Sequence, residues 1–195
     1  MKIKEIKIPE QFGSLYVCPV PERSRKSEHE TAHALLKSAV QKYAESRQIQ
    51  ISEQNLVLDY LEYQKPYFRH YPEIYFNLSH CTGLAVCLLS ERECGVDAES
   101  VREMRPAVVR RVFSPEEQQL LSESAEPDKL FTKIWTLKES YVKAIGRGIG
   151  FPMQEVSFSF EADTVLCSRK DADFCQIPYQ DYSISVCVLR SGVQP

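Results

Sequence analysis

Apolar residues recur along this chain in two rhythms, one helical and one alternating. Ala32, Leu35, Leu36, Ala39, Val40 and Tyr43 repeat at helical spacing and predict a helix from about Ser27 to Arg47. Ser27, with Glu30 three residues on, reads as its capping box. A second helical stripe is stronger. Leu130, Ile134, Leu137, Tyr141 and Ile145 fall on one side of a helix, and Phe131, Trp135 and Val142 widen it. Glu139 and Lys143 sit one turn apart on the opposite side, so an acid and a base project together. Gly146, Gly148 and Gly150 end this helix, and Pro152 stops any continuation.

Elsewhere the pattern alternates. Residues 2–8, 14–18, 56–63, 74–79, 84–90 and 94–98 predict strands, with a turn at 64–68 where Pro66 holds Lys65 extended. Residues 101–113 and 115–123 read as helices, the second opened by Ser114 as cap and Pro115 at its first position. Residues 126–128 read as a break. Past Pro152, residues 155–160, 164–168, 174–179 and 183–189 predict antiparallel strands. The expected fold is α/β of the α+β kind, with two similar lobes at residues 1–100 and 101–195. A pseudo-two-fold relates them, each being a small antiparallel sheet packed on a long helix. The active site is expected in the cleft where they meet, near residues 95–105.

Composition narrows the class of protein. A 43% hydrophobic share supports a packed core in 195 residues, and 26% charged residues keep it soluble. The net charge of −3 gives no global basic field, so no nucleic-acid partner is expected. No run approaches the roughly 18 apolar residues of a membrane span, and no secretory signal is expected. The seven cysteines include no Cys-x-x-Cys pair. That fits reduced, mostly buried thiols in a cytoplasmic protein and argues against zinc.

Three clusters carry possible chemistry. Asp97 and Glu99 end a predicted strand and share one face. Two such carboxylates repel unless a cation lies between them, and hard oxygens suit Mg²⁺. Glu139 from the long helix supplies a third. Ser79 and His80 close an apolar strand, where hydroxyl, imidazole and loop N–H groups can donate to an anion. The basic stretch around Arg23, Arg25 and Lys26 precedes a helix N-terminus, a landing place for a phosphorylated ligand. Each cluster alone also fits a solvated surface pair, a strand-end turn or a polar loop; the combination gives the functional reading its weight.

In order, the chain shows Lys65-Pro66, FNLSHC at 76–81, GVDAE at 95–99, FSPEE at 113–117 and WTLKESYVKAIGRGI at 135–149. Together these motifs resemble the 4′-phosphopantetheinyl transferases of the monomeric, surfactin-synthetase-activator type, over roughly residues 65–150. The resemblance implies transfer of the phosphopantetheine arm of coenzyme A to a serine of an apo acyl or peptidyl carrier protein, releasing 3′,5′-ADP. Such carriers serve fatty-acid, polyketide or nonribosomal-peptide biosynthesis.

The resemblance also implies roles for residues. Asp97, Glu99 and Glu139 match the Mg²⁺ ligands. Lys143 matches a lysine that contacts phosphate and protonates the leaving group, and Glu139 is a candidate base. Ser79 and His80 match coenzyme A phosphate contacts, and Lys65 and Pro66 match nucleotide contacts. Glu117 and Lys138 match motif positions without a settled role. His33 stands where relatives carry an arginine for the 3′-phosphate, with Arg23, Arg25 and Lys26 upstream. Ala98 stands where some relatives carry an acid. Two readings compete with the transferase: a catalytically silent relative that binds coenzyme A or a carrier, and a Mg²⁺-dependent phosphodiesterase using the same acids.

Overall fold

A computed structural model describes residues 2–22, 24–162 and 164–191. The first half contains β1 (Lys4–Ile6), β2 (Ser14–Pro19), α1 (Arg25–Arg47), β3 (Leu58–Tyr60), β4 (Pro66–Phe68), β5 (Tyr75–Cys81) and β6 (Leu84–Ser90). Then come β7 (Cys94–Ser100), α2 (Pro106–Val112), α3 (Pro115–Glu123), α4 (Pro127–Ile145), β8 (Phe158–Glu161), β9 (Thr164–Cys167), β10 (Ala172–Tyr179) and β11 (Tyr182–Leu189). One antiparallel sheet has the order β1-β2-β6-β5 and another β10-β11-β7, while β3-β4 and β8-β9 are small hairpins. The expected α/β architecture is present, with a long helix packed on each larger sheet.

Alternation explains the layering. On β2 and β6, Tyr16, Cys18, Ala85, Cys87 and Leu89 pack against Leu35, Leu36, Ala39 and Tyr43 of α1. The intervening Leu15, Val17, Val86 and Leu88 face the other way, onto Val96, Ala98, Ile184 and Val186 of the second sheet. Strand β6 is therefore buried on both faces, and its run LAVCLLS is apolar throughout. The layers run helix, sheet, sheet, helix. Cys94–Ser100 belongs by number to the first hundred residues, yet it pairs with β11 of the second sheet.

Several local expectations needed correction. The first long helix starts at Arg25, and its cap is Ser24, whose hydroxyl accepts from the Ser27 N–H, so Ser27 is not the cap. Residues 66–68 form a strand paired to β3, not a turn; the bend lies just before, where Gln64 adopts a positive φ. The helix expected over 101–113 covers Pro106–Val112 only, because Pro106 disfavours helical geometry at Arg105. The expected break at 126–128 is the start of α4, with Pro127 in the first turn where its missing N–H costs nothing.

One glycine sets how closely α4 rides on β7. A Cβ on Gly95 would come within 2.0 Å of the Ser140 carbonyl oxygen and 2.5 Å of the Ala144 nitrogen. With no side chain there, helix backbone lies directly on strand backbone. This close approach carries Glu139 and Lys143 to the face of β7 that bears Asp97. Just beyond this contact, at the C-terminus of α4, Gly146 takes a left-handed conformation as the cap.

Candidate active site

The seam between the two sheets is built from side chains. Strands β5 and β7 are edges of different sheets, and polar side chains on β5 cap the free N–H groups of β7. The Val96 N–H donates to Asn77 Oδ1 at 2.9 Å, and the Ala98 N–H donates to Ser79 Oγ at 3.3 Å. Ser79 Oγ in turn donates to Asp97 Oδ1 at 2.8 Å. Lys143 Nζ reaches the same oxygen at 2.7 Å and the Val96 carbonyl at 3.1 Å. Asp97 is 6% exposed, and its second oxygen, Oδ2, is buried without a hydrogen-bond partner. A buried carboxylate oxygen normally finds a donor, so this atom marks a place for a ligand.

Glu99 and Glu139 complete the cluster. Glu99 Oε1 lies 3.3 Å from Arg102 Nη1. Burial pushes the Glu99 carboxyl above its usual range against the pull of Arg102, and the charges of Asp97 and Glu28 push the same way as burial. Burial also raises Glu139, reinforced by Asp97 and Glu99 and opposed by Lys143. Four acids, Asp97, Glu99, Glu139 and Glu28, and two bases, Arg102 and Lys143, thus share one field. Among the described residues, no group of three or more His, Cys, Asp or Glu side chains is gathered closely enough to hold a metal ion by itself. The set is all-oxygen, mutually repelling and holds an orphaned Oδ2, which fits a hard divalent cation with water completing its shell.

A pH prediction follows from Glu139. A carboxyl whose folded pKa is raised stabilises the fold fully below its unfolded pKa. That contribution disappears as pH rises through the folded value. Glu139→Gln is therefore expected to raise Tm at neutral pH. The gain should close as pH falls toward the ordinary glutamate value of about 4.3. Scanning calorimetry across that range checks it; an equal loss of Tm at both ends would contradict it.

The other sequence candidates are dispersed around this cluster. Ser79 and His80 point to opposite faces: Ser79 is buried against Asp97, while His80 is exposed, with Nδ1 3.5 Å from Glu28 Oε2 of α1. Lys65 sits at the C-terminus of α4, where Nζ donates to the Ala144 carbonyl at 2.6 Å and pairs with Glu93. Beside it opens a cavity of about 740 Å³ bounded by Tyr63, Tyr75, Arg92, Ile145 and Arg190. Pro66 opens β4. Lys26 extends into solvent, 3.9 Å from Glu30. Arg23 lies outside the described residues. His33 lies beside His29, its ring tilted 42° from that of His29.

Glu117 and Lys138 form a fully buried ion pair at 2.8 Å. Glu117 closes the capping box of α3 with Ser114 and also accepts the Phe158 N–H at 2.8 Å. Lys138 donates to the Met153 carbonyl at 2.8 Å and to that of Val156. These two residues fasten α3, α4 and the 153–158 segment together, away from the acid cluster.

Sequence reasoning missed Glu28 and Arg102. Arg102 was legible as the partner three residues beyond Glu99. Glu28 comes from α1, about seventy residues earlier in the chain, and nothing in its neighbourhood of the sequence signals the approach. A groove of about 550 Å³ flanks Glu139 between α2, α4 and residues 150–153, lined by Val108, Val112, Trp135, Phe151 and Met153.

Comparison with known proteins agrees with this geometry. A family model described as the 4′-phosphopantetheinyl transferase superfamily matches residues 93–187, the segment carrying Asp97, Glu99, Glu139 and Lys143. The 4′-phosphopantetheinyl transferase Sfp of Bacillus subtilis is 28% identical over 158 residues, covering 79% of this chain and 70% of its own length. A second 4′-phosphopantetheinyl transferase of Bacillus subtilis is 32% identical over 105 residues, 52% of this chain and 46% of its own. The chain therefore spans between about half and 70% of these relatives. A crystal structure of Thermotoga maritima holo-[acyl-carrier-protein] synthase aligns at 20% identity and a TM-score of 0.44. The alignment covers 50% of this chain and 62% of that one. The matched segment, the curated relatives and the acid cluster on β7 and α4 agree on where the likeness lies: residues 93–187 match the 4′-phosphopantetheinyl transferase superfamily.

Proposed function

We propose that this protein transfers the phosphopantetheine arm of coenzyme A to a serine of an apo acyl or peptidyl carrier protein, releasing 3′,5′-ADP. The observation that carries the reading is the Asp97 cluster. A buried carboxylate with one free oxygen is flanked by two acids of raised pKa and one lysine. Asp97, Glu99 and Glu139 would hold Mg²⁺. When bound, that ion would supply positive charge to the diphosphate oxygens.

The chain's own groups do the rest. Glu139, whose carboxyl burial holds above its ordinary range, would accept the proton of the carrier serine. The serine oxygen forms its new bond to the phosphorus on the pantetheine side of the diphosphate. The bond from that phosphorus to the oxygen of the departing 3′,5′-ADP breaks. Lys143 Nζ, whose side chain is 28% exposed, can give a proton to that oxygen. Ser79 holds Asp97 in place through its hydroxyl. The cavity beside Lys65 would receive the nucleotide end of coenzyme A, and the exposed His80 would contact a phosphate.

Both halves of one chain line the site, which supports a monomer. Thiols at Cys81 and Cys94 are pushed by burial up to about 12. All seven cysteines are free, which supports a cytoplasmic setting. No described helix is long and apolar enough to cross a membrane.

The direct test mixes the chain with Mg²⁺, coenzyme A and a panel of apo-carriers, and weighs each carrier. A gain of one phosphopantetheinyl group is expected. Binding without gain would leave a silent relative, and nucleotide cleavage without carrier modification a phosphodiesterase. Within this mechanism, Lys143→Ala is expected to lower kcat by about 10²-fold. A change in KM alone would make Lys143 a binding residue.

A further inference from the structure

Helix α1 places His29 and His33 one turn apart on the same face. Their Nε2 atoms are 3.1 Å apart, whereas their ring centroids are 4.3 Å apart. The rings thus lean together at their Nε2 edges. Two nitrogens on one metal ion at about 2.0–2.1 Å, subtending a right to tetrahedral angle, stand roughly 2.9–3.4 Å from each other. The observed span falls inside that window. With one ring in the Nε2–H tautomer, the same spacing is a hydrogen bond that a metal ion would replace.

We propose that His29 and His33 form a chelating site for a borderline divalent transition metal, with Cu²⁺ held most tightly and Ni²⁺ and Zn²⁺ less so. Imidazole nitrogen selects these ions over Mg²⁺. Among the described residues no third ligand closes a cage, so water completes the shell. Access and protonation both suit the role. His29 is exposed and His33 half-buried. Burial, then the neighbouring His29, His80 and Lys37, holds His33 below the usual histidine range, which keeps it a neutral ligand at neutral pH. Of the neighbouring acids on α1, Glu28 faces His80 and Glu30 faces Lys26. The site uses neither the acids nor the lysine assigned to transfer; His33 is also the residue matched to the 3′-phosphate arginine of relatives, and metal binding measured without coenzyme A stands whether or not the transferase reading holds.

The test titrates the tag-free chain with Cu²⁺ in a non-coordinating buffer and reads affinity by calorimetry and ligand count by electron paramagnetic resonance. A single saturable site with two-nitrogen hyperfine structure is expected. His29→Ala and His33→Ala should each weaken it by at least about tenfold. His70→Ala, at an exposed position on another segment, should leave it unchanged. Circular dichroism confirms that the variants are folded. Unaltered affinity in both α1 variants, a one-nitrogen spectrum, or no saturable binding would overturn the assignment.

Discussion

Asp97→Asn is expected to lower kcat/KM for carrier modification by roughly 10³-fold, while Tm stays within about 3 °C of the parent. The two halves of that expectation come from different oxygens of one side chain. Oδ1 accepts from Ser79 and Lys143 at 2.8 and 2.7 Å, and an asparagine carbonyl oxygen can accept from both. The structural bonds therefore survive. Oδ2 is the buried oxygen without a partner, and in asparagine it becomes an NH₂ group that cannot hold a cation. A loss of several kcal/mol in barrier lowering is the scale of a missing Lewis acid. Steady-state kinetics with a fixed carrier and varied Mg²⁺ checks the first half, and thermal unfolding checks the second. Full activity would remove Asp97 from the metal set. A collapse of Tm would instead make it a scaffold residue and leave the catalytic question to Glu99→Gln.

Most of the secondary structure was legible because burial here follows simple periods. Ile134, Leu137 and Tyr141 are fully buried, as the helical stripe requires. The apolar run of β6 is buried on both faces because a helix and a second sheet cover it. The errors arose where tertiary contacts outweigh local propensity. The segment 66–68 becomes a strand only because β3 pairs with it, and a turn-like composition cannot reveal a partner.

The site was legible in the same uneven way. Alternation placed Asp97 and Glu99 on one face, and helical spacing put Glu139 and Lys143 together. The contact that unites them rests on Gly95, whose missing Cβ lets α4 settle on β7; spacing alone gave no hint of it. Lys143 was read as projecting with Glu139 from one turn of helix and contacting phosphate. Its ammonium instead hydrogen-bonds Asp97 across the seam. Ser79 was read as a phosphate contact, and its hydroxyl here donates to Asp97. Both differences have one physical cause: a buried carboxylate attracts the nearest donors, whichever segment they come from.

Lys138→Met is expected to destabilise the fold by about 3–5 kcal/mol, a large part of the roughly 5–15 kcal/mol that holds such a domain together. Lys138 and Glu117 are both fully buried. Burial pushes Glu117 up and Lys138 down although each faces the other's charge, so the pair holds its position at a cost. Removing the lysine leaves a buried carboxylate facing the Ser114 and Phe158 N–H groups without its counter-charge. It also leaves the Met153 and Val156 carbonyls without their donor. The midpoint of urea unfolding should fall by at least about 1 M. Adding Glu117→Gln to Lys138→Met removes the stranded charge, and the double variant is expected to be more stable than Lys138→Met alone. A double-mutant cycle measures that coupling. At temperatures where the single variant stays folded, kcat should change little, since Lys138 reaches toward α3 and the 153–158 segment while Lys143 reaches Asp97. A variant with unchanged stability and lost transfer would move Lys138 out of the scaffold and into the reaction.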